Sequence, residues 1–303
     1  MKLSIIIINW NTAKLLKQCL ESVVNDSIFD IKAEIIVVDN GSTDGSVEIV
    51  EKLIVQGSKC KIKMIKNQSN IGFAKAVNQG IGESNGKIIF ILNSDTIIKE
   101  NAIKNLVVFL DRNSNMAVSP LLLLPNNKVQ NEYYMKSPNL WQVFLYHNPV
   151  LRPLVMKIPF LKQLVAQKIS QTFFEADQLP GAGIMMRKEV WNQIGPLDEN
   201  YHFLFEDVDW CWRAKEKGIN LIVVPEAKII HLGGASWRKK KKQDKNNFYY
   251  QFFCSMLFFV RKNYGKAKGQ IFKWAIIVNF ILTFKVKLAY DFYKNNGKQL
   301  DFL

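Results

Sequence analysis

The stretch Ile35-Ile-Val-Val-Asp-Asn-Gly-Ser-Thr-Asp-Gly45 joins an apolar run to a polar turn. Its β-branched residues predict a buried strand that ends at Asp39. The residues after Asp39 are rich in helix N-cap types, so a helix is expected to begin near Gly45. An acidic residue at the carboxyl end of a buried strand, followed by a helix, is typical of α/β enzymes that handle nucleotides and metals.

The same alternation extends over residues 3–120. It predicts strands at Leu3–Asn9, Glu34–Asp39, Ile62–Lys66 and Lys87–Leu92. Helices are expected after these strands, near residues 13–24, 45–55, 72–80 and 99–110. This order indicates an α/β fold with a doubly wound, mostly parallel sheet flanked by helices.

The basic character of the chain is concentrated at its C-terminal end. The 303 residues carry a net charge of +15, and residues 228–303 hold 16 Lys and Arg against 3 Asp and Glu. The 4 cysteines are widely spaced, which argues against a zinc site or a disulfide framework. The run Ile5–Ile8 is too short for the core of a signal peptide, and a strand is the better interpretation.

The C-terminal segment is basic, aromatic and predicted to be helical from Trp237 onward. Its apolar runs, Phe252–Val260 and Ala275–Phe284, are both well below the roughly 20 residues that span a bilayer. Flanking Lys and Arg together with Phe, Trp and Tyr favour a monotopic anchor on an anionic membrane surface. A helical bundle packed on the α/β part is the alternative.

The densest acidic group lies in Phe203-Leu-Phe-Glu-Asp-Val-Asp-Trp-Cys-Trp-Arg213. Burying Glu206 and Asp207 among aromatic side chains is unfavourable unless they are paired, protonated or bound to a cation, so the cluster indicates chemistry. Asp209 and Arg213 have the i, i+4 spacing of a structural ion pair on a helix.

Besides the acidic cluster, the chain contains the motifs Ser4–Asn11, Val37–Gly45, Asn70–Gly80, Leu92–Thr96, Gly181–Arg187 and His231–Ser236. Together these motifs resemble family 2 glycosyltransferases of the GT-A fold, especially the rhamnosyltransferase-like members that act on lipid-linked surface glycans. The resemblance covers roughly residues 3–235. It implies a GT-A catalytic domain over residues 1–236, with a nucleotide-binding half (1–120) and an acceptor and catalytic half (121–236). Residues 237–303 would form the helical membrane-surface anchor.

The resemblance implies a nucleotide-sugar site at the strand ends. Asp39 would accept a hydrogen bond from the N3–H of uracil or thymine, a donor that cytosine lacks. Asn9 and Asn11 would help to seat the base or the ribose, or would serve as turn residues. Lys75 would contact the diphosphate, or would be a solvated residue of a helix. The remaining residues expected at this site are Asn70, Gly72, Asn93, Ser94 and Gly181.

The resemblance also implies a metal ion and a catalytic base. Asn93-Ser94-Asp95 takes the place of the family's DxD motif, so Asp95 would bind Mg²⁺ or Mn²⁺. His231 would complete the coordination, and an imidazole suits Mn²⁺ better than Mg²⁺. Asp207 would take the proton from the acceptor hydroxyl, and Glu206 would orient Asp207 or the acceptor.

The predicted function is therefore inverting, metal-dependent glycosyl transfer. The expected donor is dTDP-rhamnose, and the expected acceptor is a polyprenyl-diphosphate-linked glycan in O-antigen or capsule biosynthesis. The expected location is the cytoplasmic face of the bacterial inner membrane, with no nucleic-acid partner. Two alternatives remain: a UDP-sugar transferase (galactosyl or N-acetylhexosaminyl), and a non-catalytic, nucleotide-binding module at the membrane surface.

Overall fold

The computed structural model describes residues 2–26, 32–55, 60–233 and 244–298. The strands are β1 (Leu3–Asn9), β2 (Ala33–Asp39), β3 (Lys61–Lys66), β4 (Ile88–Asn93), β5 (Thr96–Ile98), β6 (Met116–Leu123), β7 (Phe174–Glu175), β8 (Gly183–Arg187) and β9 (Asn220–His231). The α-helices of the first half are α1 (Ala13–Asn25), α2 (Ser46–Val55), α3 (Phe73–Gly82) and α4 (Ala102–Arg112). Those of the second half are α5 (Arg152–Val155), α6 (Pro159–Val165), α7 (Lys188–Ile194), α8 (Glu206–Glu216), α9 (Lys245–Tyr264), α10 (Lys266–Leu282) and α11 (Val286–Lys294).

The strands and helices predicted for residues 3–120 are confirmed, with small shifts at their ends. β1 has the predicted bounds, and β2 begins one residue before its predicted start. Both strands are buried along their whole length, which explains why their sequences are continuous apolar runs rather than alternating ones.

The described strands form one sheet in the order β3-β2-β1-β4-β8-β6-β9-β5, with β7 beside β9. β3, β2, β1 and β4 are parallel, whereas β8 is antiparallel to both β4 and β6. The sheet is thus parallel in its first half and mixed in its second half. The carboxyl ends of β1, β2 and β4 meet at one edge, and β9 brings His231 opposite Thr96 of β5.

The C-terminal helices share an apolar core with the loop before α8, formed by residues such as Tyr201, Phe253 and Phe280. The predicted ion pair between Asp209 and Arg213 is confirmed, with Arg213 Nε 2.9 Å from Asp209 Oδ2. This core and the ion pair lie beside the acidic cluster, so the C-terminal helices are part of its surroundings.

α9 is tied directly to that cluster. Lys262 Nζ lies 2.8 Å from Asp209 Oδ1, and the Ser255 hydroxyl donates to the Phe203 carbonyl at 2.5 Å. α9 therefore packs on the α/β part, as the bundle alternative expected. The predicted boundary at 236/237 and the basic run 238–242 lie outside the described residues. Among the described helices, none combines the length and hydropathy that a bilayer-spanning segment requires.

Candidate active site

A cavity of about 810 Å³ lies at the carboxyl edge of β1 and β4 and reaches α9. Its walls include the predicted site residues Asn70, Asn93, Ser94, Asp95, Gly181, Glu206, Asp207 and His231. The walls do not include the predicted residues Asn9, Asn11, Asp39, Gly72 and Lys75. The structure thus brings the predicted metal and catalytic residues together in one cavity, whereas part of the predicted donor set does not line it.

The wall residues that the sequence analysis did not predict include Trp10, Asn40 and Gln130. Trp10 and Asn40 directly follow β1 and β2, so their position after a strand end was an available signal. Gln130 lies in an irregular segment without a motif, and nothing in its local sequence marks it.

Asp39 is buried at the end of β2, and both of its carboxylate oxygens accept hydrogen bonds. Asn9 Nδ2 donates to Oδ2 and the Ser42 N–H donates to Oδ1, each at 2.8 Å. The Thr12 hydroxyl donates to Asn9 Oδ1 at 2.6 Å and lies 2.9 Å from Ser94 Oγ. Because the Thr12 proton is directed at Asn9, Ser94 is the donor in the last bond. This chain of bonds ties β1, β2 and β4 together, so Asn9 positions Asp39.

Further predicted donor-site residues, Asn11, Asn70, Gly72 and Lys75, lie outside this chain of hydrogen bonds. Asn11 has a φ of 52°, and its Oδ1 accepts from the Thr43 N–H at 2.8 Å, so it shapes the turn after β1. Asn70 Oδ1 accepts from the N–H of Gly72 at 2.9 Å, and Gly72, with a φ of 90°, precedes α3. Lys75 is exposed on α3, and its contact with a diphosphate stays a prediction.

An unusual turn precedes Glu206 and Asp207. Leu204 and Phe205 have φ values of 57° and 75°, in the left-handed region that bulky side chains rarely adopt. The Phe205 ring packs edge to face against Phe252 of α9, with the centroids 5.3 Å apart. α9 therefore braces the turn that places both carboxyl groups at the start of α8.

The two carboxyl groups differ in their affinity for a proton. Burial, followed by the charge of Asp207, raises the pKa of Glu206 from its ordinary 4.5 to about 8. Burial also raises the pKa of Asp207, but backbone N–H groups oppose that rise. Gly181 donates to Asp207 Oδ2 at 2.9 Å and Val208 donates to Oδ1 at 2.8 Å. The arrangement favours a proton on Glu206 and the negative charge on Asp207 at neutral pH.

Gly181 permits this contact because it has no side chain. A Cβ at position 181 would lie 3.2 Å from Asp207 Oδ2 and 3.4 Å from Asp207 Cβ. Any larger residue would crowd the carboxylate that the Gly181 N–H now reaches. The sequence analysis placed Gly181 in the nucleotide-sugar site and did not predict its bond to Asp207.

Asp95 and His231 face each other across the end of β5. His231 Nε2 lies 3.3 Å from Asp95 Oδ1 but makes no hydrogen bond. His231 Nδ1 lies 3.0 Å from Gln130 Oε1, while Gln130 Nε2 lies 3.5 Å from the His231 carbonyl oxygen. With the amide in this orientation, Gln130 accepts the Nδ1 proton of a neutral imidazole, so Nε2, the nitrogen nearer Asp95, carries the lone pair.

Two acceptors that face each other in this way repel unless a cation lies between them. Two cis ligands at about 2.1 Å from one ion lie about 3 Å apart, close to the observed separation of Asp95 and His231. The pair therefore fits a divalent metal. Among the described residues there is no group of three His, Cys, Asp or Glu side chains placed to hold a metal. Further ligands would have to come from elsewhere, such as a bound diphosphate or water.

Comparison with known proteins gives relatives of one enzyme class. The chain is 36% identical over 104 residues to the glycosyltransferase GlyG of Streptococcus pneumoniae, which covers 34% of this chain and 33% of that protein. It is 24% identical over 209 residues to the N-acetylglucosaminyl-diphospho-decaprenol L-rhamnosyltransferase of Mycobacterium tuberculosis, covering 65% of this chain and 66% of that protein. The chain thus spans between a third and two thirds of the length of these relatives.

Solved structures support the fold. The mannosyltransferase PcManGT from Pyrobaculum calidifontis, solved with GDP-Man and Mn²⁺, superposes with a TM-score of 0.60 at 14% identity and covers 98% of this chain and 79% of that one. The expected GT-A fold is thereby confirmed. The sequence profile of glycosyl transferase family 2 matches residues 4–165, more than half of the chain. The chain therefore belongs to glycosyl transferase family 2.

Proposed function

We propose that the protein transfers a sugar with inversion from a nucleoside-diphosphate donor to an acceptor hydroxyl. The observation that carries this proposal is the position of Glu206 and Asp207 in the wall of the same cavity as Asp95 and His231. Inverting transfer needs one carboxylate that takes the proton of the attacking hydroxyl. Asp207 is that base, because backbone N–H groups stabilise its negative charge. Glu206, protonated at neutral pH, can donate a hydrogen bond to the acceptor or to Asp207.

Asp95 and His231 would hold Mg²⁺ or Mn²⁺ at the other side of the cavity. A bound divalent cation would neutralise the charge of the departing nucleoside diphosphate. Gln130 fixes the ring of His231 so that Nε2 faces the cation, which is the usual role of a second hydrogen-bond partner at a metal ligand. The pairing of GDP-Man with Mn²⁺ in the mannosyltransferase supports this assignment.

The proposed donor is dTDP-rhamnose. Asp39, held by Asn9 and Ser42, would accept the N3–H of thymine, and a carboxylate oxygen has a second lone pair for that bond. Rhamnose as the transferred sugar is supported by the mycobacterial rhamnosyltransferase. A UDP-sugar would satisfy Asp39 equally well, since uracil presents the same N3–H.

The proposed acceptor is a polyprenyl-diphosphate-linked glycan of a surface polysaccharide. The name of the mycobacterial relative describes an acceptor of this kind, a sugar linked through diphosphate to decaprenol. We place the protein at the cytoplasmic face of the bacterial inner membrane. Residues 1–236 would form the catalytic domain, and the basic C-terminal segment, residues 237–303, would attach it to anionic lipid.

A panel of nucleotides tests the donor site. We expect dTDP or UDP with Mn²⁺ to raise the melting temperature, since a ligand at about 100 times its Kd adds about 2.7 kcal/mol. CDP should have little effect, and EDTA should weaken the response. Asp39→Asn should reduce the discrimination against CDP, because an amide can donate to N3 of cytosine. If no nucleotide stabilises the protein, the transferase proposal fails.

Asp207→Asn tests the catalytic base. The amide keeps the shape of the carboxylate but cannot take a proton, so kcat should fall by about 10²–10⁴. The Kd of the nucleotide should stay within about twofold, because the substitution keeps the shape of the side chain and leaves Asp39 unchanged. Glu189→Gln, an exposed acid in the first turn of α7, is the matched control and should keep full activity. Wild-type turnover in Asp207→Asn would contradict the assignment.

Glu206→Gln tests the titration of the carboxyl pair. The folded-state pKa of Glu206 is raised to about 8, so its contribution to stability is full below its ordinary 4.5 and is lost as pH rises through about 8. Gln resembles the protonated acid and does not titrate. Thermal unfolding at a series of pH values should therefore show similar melting temperatures near pH 4.5 and a variant more stable by several degrees near pH 8. Parallel curves for the two proteins would contradict the raised pKa.

Gln130→Leu tests the metal site without an activity assay. Loss of the amide acceptor frees the His231 ring to change tautomer, so the affinity for Mn²⁺ should fall about 10–100-fold. Electron paramagnetic resonance of Mn²⁺, in the presence of nucleoside diphosphate, measures this affinity. Gln130→Glu keeps an acceptor for the Nδ1 proton and should retain most of it. Equal Mn²⁺ affinity in all three proteins would exclude Gln130 as a positioning residue.

A further inference from the structure

The second half of the C-terminal helical segment has an exposed face without polar side chains. From residue 271 to 284, every exposed residue carries a large apolar side chain. These residues are Ile271, Trp274, Val278, Ile281, Leu282 and Phe284, and Phe284 is 94% exposed. On the opposite side of α10, Ile276 and Phe280 are buried in the apolar core that the C-terminal helices share with the loop before α8, called here the second core. The outward side of a surface helix is normally polar, so an exposed apolar stripe here is unusual, although Lys273 Nζ lies 5.2 Å from the centre of the Tyr293 ring.

α11 continues this face. Val286, Tyr290 and Tyr293 are exposed at i, i+4 and i+7, on one side of the helix. The rings of Trp274 and Tyr293 lie 5.9 Å apart, so the exposed sides of α10 and α11 form one surface. We call this surface the α10–α11 face. Contiguous exposed apolar surfaces of this kind mark interaction sites.

Basic residues surround the α10–α11 face. Residues 266–294 contain a single acid, Asp291, against Lys266, Lys268, Lys273, Lys285, Lys287 and Lys294. Lys266 and Lys268 are exposed where α10 begins, and Lys287 and Lys294 are exposed on α11. An isologous dimer through this face would bring two such positive rims together. An anionic lipid surface instead pairs with the lysines while its acyl region takes up the apolar side chains.

We propose that the α10–α11 face is a docking surface for an anionic lipid bilayer. Trp274, Tyr290 and Tyr293 have amphipathic rings that suit the headgroup level, and Ile281 and Phe284 would enter the acyl boundary. α9 is not part of this surface, because its apolar residues are buried in the second core. This assigns the membrane contact proposed above to a defined surface. The inference rests on the proposed function, since a lipid-linked acceptor is the reason to bind a bilayer.

The face adjoins the cavity. Lys285, between α10 and α11, lies with its Nζ 4.0 Å from the centre of the Tyr249 ring, and Tyr249 lines the cavity. The segment Gln142–Tyr146, which also contributes to the wall, packs against α10. A bilayer bound at the α10–α11 face would therefore hold the cavity near the headgroups, where a lipid-linked acceptor carries its sugar.

Flotation of the full chain with vesicles tests the inference. The probe vesicles are phosphatidylcholine with roughly a third phosphatidylglycerol, and phosphatidylcholine alone is the reference. The triple variant Trp274→Ser, Ile281→Ser, Phe284→Ser should lower vesicle partitioning at least about tenfold. The matched control is Ile54→Ser, Val55→Ser, Val108→Ser, which removes exposed apolar side chains of α2 and α4 and should bind like wild type.

The charge and the fold are tested separately. Lys287→Glu with Lys294→Glu should weaken binding to the anionic vesicles, whereas Lys287→Arg with Lys294→Arg should preserve it. All substituted side chains are exposed, so each variant should keep the wild-type melting temperature. Unchanged partitioning of the folded triple variant overturns the inference. The inference is also overturned if light scattering shows a dimer for the wild-type protein and a monomer for the triple variant, and neither protein binds vesicles.

The outcome is independent of the transferase proposal. Vesicle binding through the α10–α11 face without stabilisation by any nucleotide would leave the docking surface in place and remove the proposed activity. Nucleotide stabilisation without vesicle binding would leave the proposed activity in place and remove the docking surface. The two measurements therefore identify which proposal has failed.

Discussion

Glu206 is buried, the adjacent Asp207 is half-buried, and both line one cavity, so their carboxyl groups compete for a single negative charge. The fold favours one outcome, because the N–H groups of Gly181 and Val208 both reach Asp207. A side chain at position 181 would crowd Asp207, because its Cβ would lie 3.2 Å from Oδ2. The proposed base therefore depends on where the loop before β8 lies, and that loop depends on the pairing of β8 with β4 in the centre of the sheet.

The same constraint explains why α9 belongs with the catalytic part. Leu204 and Phe205 have left-handed backbones, which is unfavourable for bulky residues unless surrounding contacts compensate. Phe252 packs on Phe205, and Lys262 supplies a cation to the buried Asp209. Removing the C-terminal helices would disturb this turn as well as any membrane contact. Substitutions confined to the α10–α11 face separate the two effects, because that face lies on the outer side of the helices.

Much of the parallel half of the sheet could be predicted, since each strand is a continuous apolar run followed by a polar turn. The local sequence could not show which strand-end side chains face the cavity. Asn9 is held against Asp39, and Asn40 takes a place in the wall. Gln130 meets His231 only through long-range packing, without a periodic signal. The composition of the C-terminal segment was compatible both with a membrane anchor and with a packed helical bundle. In the structure α9 packs on the α/β part as in a bundle, whereas α10 and α11 have an exposed apolar face.

Asn93 stands where the DxD motif has its first aspartate, so the proposed metal site has one carboxylate fewer. Asp95 and His231 supply one negative charge between them, and two protein ligands alone hold Mg²⁺ or Mn²⁺ weakly. Diphosphate oxygens of the donor would complete the coordination, so metal and donor would bind together and depart together. An amide at position 93 also lowers the negative charge that faces an incoming diphosphate. In the proposed site, Asn93 would thus lower the intrinsic affinity for the metal while reducing the repulsion of the substrate, and the orientation that Gln130 imposes on His231 would become correspondingly more important.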